Sequence, residues 1–142
     1  MVKELSDKVH SQITALCKQG DEQANGGNYE GAFRYYLDAL ELLPANHQEW
    51  KAATWIYVAI GDACFKGRKY DKAFQAFANA LKCPEGLGNP YIHLRLGQVQ
   101  FERGNLTDAA DELTRAYMGA GMEIFMEDDP KYLEFLETKI DL

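Results

Sequence analysis

The chain has 142 residues, a net charge of −7 and 46% hydrophobic residues, enough for one domain with a continuous core. A pI near 4.9 argues against nucleic acid or an anionic membrane as the main ligand, because both attract basic surfaces. Charge is uneven along the sequence: residues 1–48 carry −3, residues 49–88 carry +2 and residues 89–142 carry −6. These values favour a cationic protein partner.

The cysteine pattern and the start of the chain bear on the compartment. Cys17, Cys64 and Cys83 include no C-x-x-C pair, so neither a disulfide framework nor a zinc site is predicted. The start, MVKELSDKVH, lacks the apolar run of a signal peptide, and no stretch approaches the roughly 18 apolar residues of a membrane span. We therefore expect a cytoplasmic protein in a reducing environment.

Apolar residues recur at steps of three and four along most of the chain, and glycine, asparagine and proline interrupt them, which predicts an all-α fold of about seven helices. The predicted helices cover about 3–25, 30–43, 46–66, 70–82, 90–103, 108–118 and 130–140. The expected N-terminal capping residues are Asn46 (in a capping box with Glu49), Asn89, Thr107 and Asp129.

Residues 119–129 show no clean period and separate the sixth helix from the last one. We expect four apolar residues of this connector to pack against the preceding hairpin: Met122, Ile124, Phe125 and Met126. The final helix has an apolar stripe backed by charged residues, which is typical of a helix that covers the end of a stacked array.

A spacing of small residues recurs three times. Gly61 is followed twelve residues later by Ala73 and seven residues after that by Ala80. Small side chains at such positions allow neighbouring helices to approach closely. The same spacing holds for Gly20, Ala32 and Ala39, and for Gly97, Ala109 and Ala116.

The clearest copy of the repeat is WIYVAIGDACFKGRKYDKAFQAFANALKCPE, from Trp55 to Glu85. It resembles the tetratricopeptide repeat, with its pattern W-x2-L-G-x2-Y followed by A-x3-F-x2-A-x4-P. The resemblance implies a right-handed superhelical array of three helix hairpins and a C-terminal capping helix, in a single domain over 1–142. The repeats would cover 13–46, 54–87 and 90–121, with the connector and capping helix at 122–142.

The resemblance also implies a ligand surface, because the family binds partners on the concave face lined by the first helix of each repeat. Trp, Tyr and Arg most often anchor interfaces, which favours Trp55, Tyr91 and Arg95 as contacts. Whether the terminal helix itself lies on this face stays open. The partner-binding residues predicted for the concave face are Asp21, Asn25, Trp55, Asp62, Phe65, Tyr91, Arg95, Gln98 and Phe101.

The sequence shows no arrangement of residues that indicates catalysis. The three histidines, His10, His47 and His93, fall in different helices or at a helix start and lack metal-ligand spacing. We expect no enzymatic activity, no catalytic residue, no metal and no cofactor.

The leading hypothesis is a non-enzymatic module that binds a protein or peptide partner, as a monomer or weak dimer, without nucleic acid or membrane. Three alternatives remain open. The chain could be an inhibitor that neutralises a basic toxin, as bacterial immunity proteins do, because charge complementarity speeds association. It could be a secretion chaperone or assembly adaptor. It could also be a structural scaffold that self-associates through an exposed repeat end.

Overall fold

A computed structural model describes residues 5–142 of the chain, and it is all α-helical over that range. None of the helices in this part has the length and hydropathy needed to cross a membrane. Two short 3-10 helices, His47–Glu49 and Met122–Phe125, lie between the longer elements. The α-helices are α1 (Asp7–Asn25), α2 (Tyr29–Glu41), α3 (Lys51–Lys66), α4 (Tyr70–Leu81), α5 (Pro90–Glu102), α6 (Leu106–Ala120) and α7 (Pro130–Glu137).

The contacts divide the chain into two compact units, the first ending at Leu87 and the second comprising Gly88–Leu142. In the first unit α1 packs on α2, α2 on α3, and α3 on α4, which gives two consecutive helix hairpins. In the second unit α5 and α6 form one hairpin, and the 3-10 helix Met122–Phe125 and α7 pack against it.

Side-chain caps explain where several helices begin. The Asn89 side chain accepts hydrogen bonds from the backbone amides of Tyr91 and Ile92, and the Asp129 side chain accepts one from the amide of Lys131 at 3.0 Å. Both caps are followed by proline, which needs no amide partner at the first helical position. These two predicted caps are confirmed, whereas Ser6 and Asn28, which cap α1 and α2, are not among the predicted ones.

The other two predicted caps are wrong. Asn46 adopts a left-handed backbone with φ of 65° and makes no capping hydrogen bond, so the capping box with Glu49 does not form. A short 3-10 helix follows it, and α3 begins only at Lys51, after the extended residue Trp50. Thr107 lies inside the first turn of α6, whose N-cap position is occupied by Asn105.

The predicted limits of the first and last helices also differ from the structure. The first helix was predicted from about residue 3, and residues 3 and 4 lie outside the described residues. Of the described residues, 5 and 6 are not helical, and α1 begins at Asp7. Ser6 has extended backbone and its side chain caps the helix there, which explains the later start. The last helix ends at Glu137 and not near residue 140.

The small residues of the repeat lie where helices approach closely in the first unit. A Cβ atom built on Gly61 would lie 2.6 Å from the Phe77 ring, and one built on Gly20 would lie 2.5 Å from the Tyr36 ring. Real Cβ atoms do not approach other atoms so closely, so these glycines are required for the packing. The alanines of both repeats are fully buried: Ala32, Ala39, Ala73 and Ala80.

The second unit repeats this packing and adds a cap. A Cβ atom on Gly97 would lie 2.6 Å from Leu113 of α6. Three residues beyond α6 are buried, namely Phe125, Tyr132 and Leu136. The expectation that four connector residues pack against the hairpin is wrong for two of them, because Met122 is 43% exposed and Met126 is 58% exposed. Gly121, with φ of 74°, ends α6, and of the four predicted connector residues Phe125 is buried and Ile124 is half-buried.

Candidate partner-binding surface

The first unit places three of the predicted binding residues on α3. Trp55, Asp62 and Phe65 are spaced by seven and three residues, so they share one face of the helix, which we call the α3 face. Trp55 is 39% exposed, a large fraction for a tryptophan, whereas Asp62 and Phe65 are half-buried. The Phe65 ring makes an edge-to-face contact with the Tyr70 ring at 5.8 Å between centroids. The α3 face thus combines an exposed indole with a carboxylate and a phenyl ring.

On α1, Asp21 is held by a neighbouring tyrosine. The Tyr36 hydroxyl donates a hydrogen bond to Asp21 Oδ1 at 2.5 Å. Burial, this hydrogen bond and the nearby charges of Asp21, Cys17 and Asp62 raise the pKa of Tyr36 well above its ordinary value. Asp62 therefore lies within electrostatic reach of the phenol that holds Asp21. Asn25, the last residue of α1, is exposed and is not linked to this group by any described contact.

The three cysteines of the first unit have similar surroundings. Cys17, Cys64 and Cys83 are all buried. Burial, with a smaller contribution from Asp21, raises the pKa of Cys17 to about 11, and burial also raises the pKa values of Cys64 and Cys83. Thiols with raised pKa values are largely protonated near neutral pH and react slowly. Within residues 5–142, no group of histidine, cysteine and acidic side chains has a geometry that could hold a metal ion.

In the second unit, Arg95 of α5 connects several side chains. Its Nε donates to the Tyr91 hydroxyl at 3.0 Å, and its guanidinium lies 5.2 Å from the centre of the Tyr91 ring. Its Nη1 donates to Gln98 Oε1 at 2.8 Å and lies 3.4 Å from Asp128 Oδ1. The structure therefore brings Tyr91, Arg95 and Gln98 together. Gln98 is fully buried, so its side chain is not on the surface.

The other predicted residue of α5, Phe101, packs against α7. Its ring lies edge-to-face against Tyr132 at 5.5 Å and Phe135 at 5.2 Å between centroids. Beside it, Glu102 Oε1 accepts a hydrogen bond from the Tyr132 hydroxyl at 3.0 Å and pairs with Lys131 Nζ at 2.5 Å. We call residues 122–137 the C-terminal segment. This segment contacts the face of α5 through Asp128 as well as through the two aromatic rings of α7.

A buried histidine of α5 has a structural partner. His93 Nδ1 lies 2.6 Å from Glu112 Oε2, and Glu112 also accepts a hydrogen bond from Arg115 at 2.8 Å. The His93 imidazole therefore connects α5 to α6.

The predicted residues therefore fall into two groups. Asp21, Asn25, Trp55, Asp62 and Phe65 belong to the first unit, and the remaining four, which we call the α5 face, belong to the second. Sequence reasoning missed the residues that contact them. The proximity of Tyr36 and Cys17 to Asp21 and the path of the C-terminal segment depend on tertiary packing. One available signal was the aromatic pair Tyr132 and Phe135, three residues apart on one face of the last helix.

Comparison with solved structures reveals extensive similarity of fold. The first tetratricopeptide-repeat domain of human RPAP3 superimposes with a TM-score of 0.69 and 18% identity, over 90% of this chain and 94% of that domain. The structure of PcrH in complex with the chaperone-binding region of PopB superimposes with a TM-score of 0.66 and 14% identity, over 96% of each chain. No protein-family model matches the sequence, and no curated protein matches it.

Proposed function

From the tetratricopeptide-repeat fold that the chain shares with these structures, we propose that it binds a protein or peptide partner through the α3 face, with Trp55 as the anchoring side chain. The observation that carries the proposal is the 39% exposure of Trp55 on a first helix of the repeat. Tryptophan is among the side chains that contribute most to binding energy at interfaces. A bound apolar group would cover surface of the indole that is in contact with water.

Two carboxylates of the first unit indicate the chemistry of the partner. Asp62 lies on the α3 face, and Asp21 is oriented by the Tyr36 hydroxyl in the same unit. A segment that combines a lysine or arginine with an apolar side chain would pair with the carboxylates and cover the indole. Complementary charge of this kind raises association rates and fixes the register of a partner.

Two of the roles considered from the sequence gain support from particular observations. A role as a chaperone that holds a segment of another protein is favoured by the similarity to PcrH, which was solved with the chaperone-binding region of PopB. A role as an inhibitor of a basic protein is favoured by charge, because residues 89–142 contain eleven acidic and five basic side chains. Both roles are forms of protein binding and need no catalytic group.

The proposal is tested by selecting binders from a displayed library of random peptides and measuring their dissociation constants by fluorescence anisotropy. The Trp55→Ala variant should weaken binding by about 30-fold, because truncating an interface anchor typically costs about 2 kcal/mol or more. Leu87→Ala is the matched control, since Leu87 is 81% exposed and lies outside the α3 face. Selected peptides that bind Trp55→Ala as tightly as the unmodified chain would refute the assignment.

A further inference from the structure

A cavity of about 540 Å³ opens in the first unit, away from the α3 face. One wall is the N-terminal half of α2 with the loop before it, and the other is the end of α3 and the start of α4. Its volume is within the range of sites that bind small molecules. The lining residues used below are Tyr29, Phe33, Leu37, Cys64 and Gly67, with Arg34, Lys69 and Lys72 at the charged side.

The floor of the cavity is apolar. Cys64 is 5% exposed, and Leu37 and Phe33 are half-buried beside it. Gly67 and Tyr29 lie close together in the lining, since a Cβ atom on Gly67 would lie 3.4 Å from Tyr29 Cβ. An apolar body of a ligand could therefore lie on this floor and displace water from it.

The charged side of the cavity differs from the rest of the chain. Arg34, Lys69 and Lys72 line it against one acid, Glu30, although the chain as a whole carries −7. Neither Arg34 nor Lys69 forms an ion pair with another residue in the described range. Their positive charge is thus available to an anion.

Lys72 connects the charged side to the floor. Its Nζ lies 5.3 Å from the centre of the Phe33 ring, which places the ammonium group over an aromatic wall of the cavity. The charge of Lys72 also acts on Cys64: burial raises the pKa of the Cys64 thiol, and the positive charge of Lys72 partly opposes that rise. A carboxylate at this position would be close to both the cation and an apolar surface.

We propose that this cavity binds a small organic carboxylate with an aromatic or aliphatic body. The body would pack between Phe33, Leu37 and Cys64, and the carboxylate would pair with Lys72 and its neighbouring cations. None of the lining residues belongs to the α3 face, so this site is independent of the proposed protein-binding function. A single carboxylate is the simplest charge that matches a net positive rim on an acidic chain.

The test is an NMR titration of the ¹⁵N-labelled full chain with 4-phenylbutyrate, following the backbone amides of Tyr29, Gly67 and Lys69. Two related compounds are titrated separately: 4-phenylbutyramide, which lacks the charge, and acetate, which lacks the ring. We expect saturable shifts at these amides with the acid, and at least about tenfold weaker binding of the amide and of acetate. Equal affinity for acid and amide would overturn the proposal, as would saturable shifts confined to other regions.

Two exposed lysines of the first unit make a matched pair of variants. Lys72→Gln should weaken 4-phenylbutyrate binding by about tenfold, because it removes one charge-assisted contact. Lys82→Gln, at the end of α4 and outside the cavity lining, should leave the affinity unchanged. An equal loss of 4-phenylbutyrate affinity in both variants would mean that binding depends only on the overall charge, and it would overturn the proposed site.

The same chemistry could come from a protein rather than a free acid, and one further titration separates the two sources. An acetylated and amidated Phe-Glu dipeptide carries the ring and the carboxylate on a peptide backbone. A lower affinity for this dipeptide than for 4-phenylbutyrate would support a small-molecule site. Tighter binding of the dipeptide would overturn that assignment in favour of an acidic protein segment.

Discussion

The α3 face and the α5 face carry aromatic side chains at the same repeat positions, but these residues have different surroundings. Trp55 and Tyr91 each lie six residues before the repeat glycine, and Phe65 and Phe101 each lie four residues after it. Trp55 is 39% exposed. By contrast, Arg95 beside Tyr91 pairs with Asp128, and Phe101 packs on Tyr132 and Phe135.

This difference teaches that equivalent repeat positions need not share a role. Phe101 on α5 packs against the C-terminal segment, so part of its surface is used within the second unit. The indole on α3 is 39% exposed, whereas Tyr91 and Phe101 on α5 are half-buried. We therefore propose that the α5 face mainly stabilises the second unit and that the α3 face binds the partner.

The most disruptive change to this arrangement is expected at α7. Leu136 is fully buried, and Leu136→Ala should lower the free energy of unfolding by about 2–5 kcal/mol, because it removes buried methyl groups and leaves a cavity. Urea unfolding followed by circular dichroism measures this, and hydrogen exchange of α5 amides locates it. Leu142→Ala, at a 40% exposed leucine, is the control and should cost little. A small effect at Leu136 would show that the C-terminal segment does not stabilise the second unit.

The two phenylalanines test the comparison directly. Phe101→Ala should cost about 2–3 kcal/mol, since it removes two ring contacts with α7, and Phe65→Ala should cost about 1 kcal/mol. The measurement is the urea-dependent free energy of unfolding of each variant. Equal losses, or a larger loss at Phe65, would contradict the different roles of the two faces.

Alkaline pH should act on the first unit through its buried thiol and phenol. Cys17 and Tyr36 stay protonated in the folded chain at pH values where they ionise in the unfolded chain, because their folded pKa values are raised. The contribution of Cys17 and Tyr36 to stability is complete at pH values below their pKa values in the unfolded chain. It is lost as the pH rises through their pKa values in the folded chain.

For Cys17 this loss lies between pH 9 and about 11 and amounts to at most about 2 kcal/mol. Urea unfolding at several pH values between 7 and 11 would measure it. Asp21→Asn should reduce the pH dependence, because it removes the negative charge that helps to raise both pKa values while keeping an acceptor for Tyr36. Unchanged stability between pH 9 and 11 would contradict the prediction.

Ion pairs provide the smallest effects. Arg95→Met should cost about 1 kcal/mol, because the Arg95 and Asp128 side chains are only 13% and 20% exposed. Lys51→Met removes a pair with Glu85 in which both side chains are more than 60% exposed, and it should cost less than about 0.5 kcal/mol. Unfolding in low and high salt would measure both, and equal costs would argue against Asp128 as an anchor of the C-terminal segment.

The helices and their close contacts could be predicted because their signals are local and repeated. Gly61 lies against Phe77, sixteen residues later. The recurrence of the glycine at the same spacing in all three copies indicates such a close contact. Asn89 and Asp129 were recognisable as caps because a proline follows each of them. Asn46 was not predictable, because asparagine is favoured both as a helix cap and in the left-handed conformation that it adopts here.

The candidate site could be predicted only in part. The repeat register placed Trp55, Asp62 and Phe65 on one helix face, because that follows from helix geometry alone. The contact between Phe101 and Phe135 spans 34 residues and depends on an irregular connector that turns at Gly121. The approach of Tyr36 to Asp21 also depends on packing between helices, which apolar periodicity does not specify.

The most direct test of the central claim is hydroxyl-radical footprinting of the chain alone and with a peptide from the selection described above. If the α3 face is the binding surface, as we propose, the peptide should slow oxidation of Trp55 at least severalfold and leave oxidation of Tyr132 and Phe135 unchanged. Unchanged oxidation of Trp55 with increased oxidation of Tyr132 and Phe135 would contradict it. That result would mean that the peptide displaces the C-terminal segment and binds α5.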